Sequence, residues 1–248
     1  MESELLNKSI KFLDTPMHVL TMNETVDIIK RRIFSKQFTQ HVVVNVAKIV
    51  NMRSDVELNR SVTECDIVNI DGMGVVWGAK FLGFDVKERV AGVDLFYELN
   101  AMAEQEKFSV FYLGAQQEVV EKTSTIMQHK HPNLLIAGHN HGYFWDDEQA
   151  LVEKIKASGA KLLFVAITSP KKENFINKWR DELGVDFVMG VGGTFDVVAG
   201  KVNRAPKWMQ NAGLEWLYRV IQEPRRMWKR YLITNSKFAW LLLKAKMK

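Results

Sequence analysis

KLLFVAITSPKKENFINKWRDELGVDFVM, Lys161–Met189, is the stretch whose reading decides the fold. It opens on Lys161–Ile167, an apolar run without polar alternation, as expected of a strand covered on both faces. Lys171–Leu183 then sets Phe175, Ile176 and Trp179 on one side of a helix, and Asp186–Met189 returns to strand. Working outward, His41–Val46, Asp66–Ile70, Phe108–Leu113 and Leu134–Ala137 read as further buried strands, with helical spacing over Val93–Glu106 and Gln116–Lys130. A short β element around Lys11–Leu20 and a helix from about Asn23 to Lys36 precede them. The expected fold is α/β: a Rossmann-like, mostly parallel sheet flanked by helices.

A chain of 248 residues suits one sizeable domain, or one domain with an appendage. A single cysteine, Cys65, excludes a disulfide framework and points to a reduced, cytoplasmic compartment. The acidic, interrupted N-terminal stretch does not read as a signal peptide, and none is expected. No run reaches the roughly 18 apolar residues of a membrane span, so any membrane contact is expected to be peripheral.

Charge divides the chain. Residues 201–248 hold 12 basic and 2 acidic side chains, a net +10, against 22 basic and 27 acidic in residues 1–200. The expected boundary is Gly200–Pro206, dividing a Rossmann-like domain over 1–200 from a basic helical appendage over 201–248. Helical patterns run from about Lys207 to Gln222 and from Pro224, a first-turn proline, to the end. Three readings of this tail stay open: a helical pair packed on the core by Leu214, Leu217, Val220, Ile221 and Leu232; a nucleic-acid surface of arginines and stacking tryptophans; or a basic aromatic segment on anionic lipid.

Three glycine turns close strands. Asp71-Gly-Met-Gly74 puts a carboxylate beyond a strand's carboxyl end, where open α/β sheets bind ligands; Asp-Gly is equally a common turn. Leu113-Gly-Ala115 and Gly190-Val-Gly-Gly193 could offer backbone N–H groups to a diphosphate, although neither has the spaced dinucleotide fingerprint. His139-Asn-His141 reads as a solvated loop without ligand spacing, so neither metal nor other cofactor is expected.

The order of motifs resembles the WecG/TagA/CpsF glycosyltransferase family over roughly residues 10–235. The residues that carry it are Asn45, Asp71-Gly-Met-Gly74, Glu88-Arg-Val-Ala-Gly-Val-Asp94, Phe111-Tyr-Leu-Gly114, His141-Gly-Tyr-Phe144, Ser169-Pro-Lys-Lys-Glu173, Gly190-Val-Gly-Gly-Thr-Phe-Asp196 and the Arg204–Tyr231 block. The resemblance implies an inverting, metal-independent transferase that moves a sugar from a UDP-sugar donor to a polyprenyl-diphosphate-linked acceptor sugar in surface polysaccharide or cell-wall glycan synthesis. It implies Asp71 as general base and Asn45, Arg89, Gly114, Tyr143, Lys172, Glu173, Gly192 and Asp196 at the donor. Arg204, Arg219, Arg225, Arg226 and Arg230 become phosphate or acceptor contacts on a tail docked at the inner face of the membrane. Trp208, Trp216 and Trp228 are expected at that interface; a homo-oligomer is an open possibility and a nucleic-acid partner is not expected. Two positions depart from the family pattern and bear on the donor: Val43, where many members carry Thr, and Lys172, where Gln is usual. Rival readings are another nucleotide-binding Rossmann-type enzyme, or a nucleic-acid-binding protein that uses the basic tail.

Overall fold

The computed structural model describes residues 2–247. Helix α1 (Glu2–Asn7) leads into an antiparallel hairpin of β1 (Ser9–Phe12) and β2 (Thr15–His18). Leu13 and Asp14 between them both take positive φ, as a two-residue turn of this kind demands. Helix α2 (Met22–Phe34) starts with a capping box in which Thr21 and Glu24 satisfy each other's backbone N–H. The remaining strands are β3 (Thr39–Val44), β4 (Ile67–Ile70), β5 (Ser109–Gly114), β6 (Leu135–Asn140), β7 (Leu162–Ala166) and β8 (Phe187–Gly190). They are all parallel, and the sheet runs β1-β2-β4-β3-β8-β7-β5-β6.

Both faces of this sheet are buried, as the unbroken apolar runs require. In β7, Leu162, Phe164 and Ala166 join one cluster with Phe96, Tyr112 and Phe195, while Leu163 and Val165 join another with Phe175 and Ile176. Phe96 lies on α6 (Gly92–Glu106), and the second cluster is closed by α8 (Glu148–Ala157) and α9 (Lys171–Trp179). A third cluster packs Val42, Val44, Val68 and Ile70 under α3 (Val46–Asn51), α4 (Val56–Thr63) and α5 (Met73–Phe81). Helices α7 (Gln117–Lys130) and α10 (Thr194–Val198) complete the layer over Phe96.

Two expectations need correction. Leu134–Ala137 extends to Asn140, so His139 lies on edge strand β6, where its backbone pairs with Tyr112 across a register shift at Val110/Phe111. The helix expected over 207–222 is two helices, α11 (Lys207–Asn211) and α12 (Glu215–Gln222). Gly213 breaks it at φ +71°, and a Cβ there would come within 2.8 Å of the Met73 and Trp77 side chains.

The last helix, α13 (Pro224–Lys246), returns along α3, and its Phe238 is buried beside Phe12 with ring centres 6.2 Å apart. Gly78 on α5 makes room for that ring: a Cβ at Gly78 would lie 2.9 Å from Phe238 Cζ. The tail is thus docked on the sheet domain. No helix among the described residues is long and apolar enough to cross a membrane.

Candidate active site

Asp71 is placed by the end of the sheet. Its N–H donates to Val44 O (2.8 Å), so the chain leaves β4 level with the end of β3. Gly72 then turns at φ +99° to start α5. The 88–94 segment lies alongside, tied down by Val90 N–H to Ile70 O (2.9 Å), and Gly92 N–H donates to the Asp71 carboxylate. Burial raises the Asp71 carboxyl above its usual range, and the charge of Glu215 adds to that rise. Arg89, Arg219 and the Gly92 N–H hold it back. A partly buried carboxyl with a raised pKa at the carboxyl end of a strand is a candidate proton acceptor.

Around Asp71 the tail and the sheet domain interlock. Arg89 pairs with Glu215 on α12. Glu215 also takes Arg204 Nε at 3.3 Å, and Arg204 forms a bidentate pair with Asp94 at 2.5 and 2.7 Å. These bonds push the Arg204 guanidinium pKa upward and hold Asp94 low. Burial alone would raise Glu215, but Arg89 and Arg204 outweigh it and keep the carboxyl below its ordinary value.

A second ionic group lies at the ends of β3, β7 and β8. Lys48 Nζ donates to Val43 O at 2.8 Å, and Glu173 Oε1 is 2.8 Å from Lys48 Nζ and 2.6 Å from Lys172 Nζ. All three residues are buried. Against the upward push of burial, the two lysines hold Glu173 down to about 2. Burial, with the neighbouring Lys48 charge, pulls Lys172 down to about 8, and Arg230 on α13 adds to that effect.

Asn45 adjoins the Asp71 turn, its Cβ 3.7 Å from where a Gly72 Cβ would stand, and it caps α3 by accepting from Lys48 N–H at 3.0 Å. Gly114 ends β5 at φ +123°, where a side chain would overlap the Ala166 carbonyl. Tyr143 is 68% exposed and borders a cavity of about 320 Å³ with Asn140, His141, Asp147 and Lys154. No residue of the Asp71 group lines that cavity. Gly192 takes φ +57° with open space where a Cβ would stand, and Asp196 is in the first turn of α10. Among the tail residues, Arg219, Arg225 and Arg230 are exposed; the charge of Arg219 acts on Asp71 and that of Arg230 on Lys172, and the Arg226 side chain lies outside the described residues. Trp208, Trp216 and Trp228 are all exposed.

The structure therefore brings Asp71, Arg89, Arg204 and Arg219 to one place, and Lys172 and Glu173 to another, with Lys172 and Glu173 engaged in ion pairs. Sequence reasoning missed Lys48, Asp94 and Glu215 as members of these groups. Glu215 had a signal: it is one of only two acids among twelve basic residues in 201–248. Among the described residues no three His, Cys, Asp or Glu side chains gather as a metal site.

An open parallel sheet with a poised carboxylate and arginines at its carboxyl edge is the layout of an α/β enzyme that handles an anionic ligand. Residues 10–248 match the profile of the Glycosyl transferase WecG/TagA/CpsF family, and the chain belongs to that family. It is a glycosyltransferase. Over 182 residues it is 37% identical to the N-acetylglucosaminyldiphosphoundecaprenol N-acetyl-beta-D-mannosaminyltransferase of Bacillus spizizenii, an alignment covering 73% of this chain and 70% of that one. Of the readings open at the outset, the family selects the glycosyltransferase over another Rossmann-type enzyme or a nucleic-acid-binding protein as the chain's class.

Proposed function

We propose that this glycosyltransferase moves a sugar from a UDP-sugar to a polyprenyl-diphosphate-linked acceptor sugar with inversion, and that Asp71 is the general base. The observation that carries the base assignment is the raised carboxyl of Asp71 at the end of β4, facing Arg89 and Arg219. The Bacillus spizizenii relative, named for transfer of N-acetylmannosamine to N-acetylglucosaminyldiphosphoundecaprenol, supports the acceptor class.

In the proposed step Asp71 takes the proton of the acceptor hydroxyl as its oxygen attacks the anomeric carbon. The bond from that carbon to the UDP oxygen breaks on the opposite face, and the electron pair leaves with UDP. Arg89 and Arg219, whose charges act on Asp71, are the proposed partners of the developing diphosphate charge, a task that cationic side chains can perform without a metal. Asn45, Gly114, Tyr143, Gly192 and Asp196 are assigned to the donor, with Tyr143 offering an exposed ring to its base.

Residues 201–248 form the proposed membrane-associating appendage. The support is the row of exposed apolar side chains on α12 and α13, Trp216, Leu217, Ile221, Trp228, Leu232, Trp240 and Leu243, set among basic residues. Arg225 and Arg230 are the proposed contacts to acceptor phosphate or lipid headgroups. The experiment that tests this reading is a panel of UDP-sugars offered with a short-chain polyprenyl-diphosphate sugar, with released UDP as the signal. Release that depends on acceptor supports it; no acceptor-dependent release with any donor overturns it.

A further inference from the structure

The ionic group at Asp71 contains a carboxylate that the proposed reaction does not use. Glu215 opens α12, directly after the Gly213 break. That break is seated against Met73 and Trp77 of α5, the helix that begins two residues beyond Asp71. A turn of the tail is therefore locked to the turn that carries Asp71, which delivers Glu215 to the site. There it is only one-fifth exposed, pairs with Arg89, and takes Arg204 at 3.3 Å. Arg204 in turn is anchored by Asp94, so Glu215 stands between two guanidinium groups with fixed positions.

We infer that Glu215 is a positioning residue: its carboxylate, supplied by the tail, fixes Arg89 beside Asp71 and balances the positive charge around the base. This inference rests on the proposed role of Asp71. Asp71 faces two cations, Arg89 from the 88–94 segment and Arg219 from α12, together with the Gly92 N–H from the start of α6. Each favours the ionised carboxylate and weakens it as a base. Glu215 is the one anion that Asp71 faces in that set. Arg204, Asp94, Lys207 and Tyr97 stand behind Glu215 and act on one another. A carboxylate that both holds Arg89 and opposes its field lets a cation serve the leaving diphosphate without quenching the base. The tail then completes the catalytic centre as well as covering it.

The test is the pH dependence of turnover in the full chain, with lipid-linked acceptor in vesicles, for wild type, Glu215→Gln, Glu215→Asp and Asp94→Asn. Loss of the Glu215 charge leaves Arg89 and Arg219 unopposed, so the acid limb of Glu215→Gln moves to lower pH by about half to one unit, with kcat at neutral pH down about tenfold or more. Glu215→Asp keeps the charge and its limb stays near that of wild type. Asp94→Asn loosens the tail and removes a charge that acts on Arg89 and Arg204 but is not among those acting on Asp71, and its limb does not move. A Glu215→Gln profile with the wild-type limb, lowered only as much as that of Asp94→Asn, reduces Glu215 to a structural pin and overturns the inference. Asp71→Asn measured alongside separates the two readings. Retained turnover in that variant ends the base assignment and this inference with it. Lost turnover with an unmoved limb in Glu215→Gln ends this inference alone.

Discussion

Arg204 and Asp94, 110 residues apart in sequence, form two parallel hydrogen bonds of 2.5 and 2.7 Å that clasp the basic tail to the first turn of α6. Their planar geometry is that of a charge-assisted fork, stronger than a single surface pair. Asp94 retains substantial exposure, so solvent screening limits what the clasp contributes to stability to about 1 kcal/mol. Its larger consequence is positional, because the same guanidinium reaches Glu215 and through it Arg89. Arg204→Met is expected to lower the unfolding midpoint only slightly while cutting transfer to lipid-linked acceptor several-fold; equal losses in both would show that the clasp is only structural.

Phe238 is the apolar anchor of the same docking. Its ring is buried against Phe12 and fills the space left by Gly78. Phe238→Ala is expected to cost about 3 kcal/mol, the usual penalty for emptying a buried aromatic site. Amide hydrogen exchange locates the loss: protection along α13 falls by orders of magnitude while β7 and β8, at the sheet centre, stay protected. Uniform loss over the sheet would mean that the tail and sheet unfold as one unit.

The exposed row on α12 and α13 makes a separate prediction. Ile221 and Leu232 are 66% and 60% exposed, so changing both to Asp disturbs no core packing. Co-sedimentation with vesicles containing anionic lipid is expected to fall about tenfold, since apolar area is lost and negative charge is added. Activity on a soluble short-chain acceptor should persist. Unchanged sedimentation would remove this face from the membrane account.

The Lys48–Glu173–Lys172 group gives a pH dependence of stability whose sign follows from two opposite shifts. Glu173 is held down to about 2 in the folded protein, so its contribution is present above the unfolded value near 4.5 and lost as pH falls from there toward 2. Lys172 is pulled down to about 8. Between pH 8 and its unfolded value of about 10.5 the unfolded chain binds more protons, and stability from this residue rises with pH. Comparing thermal unfolding midpoints of wild type and Lys172→Gln from pH 7 to 10 isolates this effect: wild type should gain on the variant above pH 8. A constant difference across that range would contradict the buried ammonium.

The sheet was legible in the sequence because its central strands are covered on both faces. Leu162, Phe164 and Ala166 meet one layer and Leu163 and Val165 the other, so the apolar run had no gaps to hide it. The end of β6 was not legible: Gly138, His139 and Asn140 are only partly buried on an edge strand, and what holds them is backbone pairing to β5. The break at Gly213 was marked by a glycine, but its necessity comes from Met73 and Trp77 of another helix. Asp71 stood out through its Asp-Gly turn at a strand end. Its surroundings did not, because Glu215 meets Arg89 across 126 residues and Glu173 meets Lys48 across the sheet edge. Such pairs leave no periodic trace; they exist only once the tail and the strand ends have been brought together.

The central claim is that Asp71 takes the proton, and one comparison tests it most directly: turnover and UDP binding of Asp71→Asn against wild type, with the UDP-sugar that the donor panel identifies. The amide keeps size and hydrogen-bonding capacity but cannot accept the proton, so kcat should fall by about 10²–10⁴ with UDP affinity nearly unchanged. Turnover within a few-fold of wild type would contradict the account.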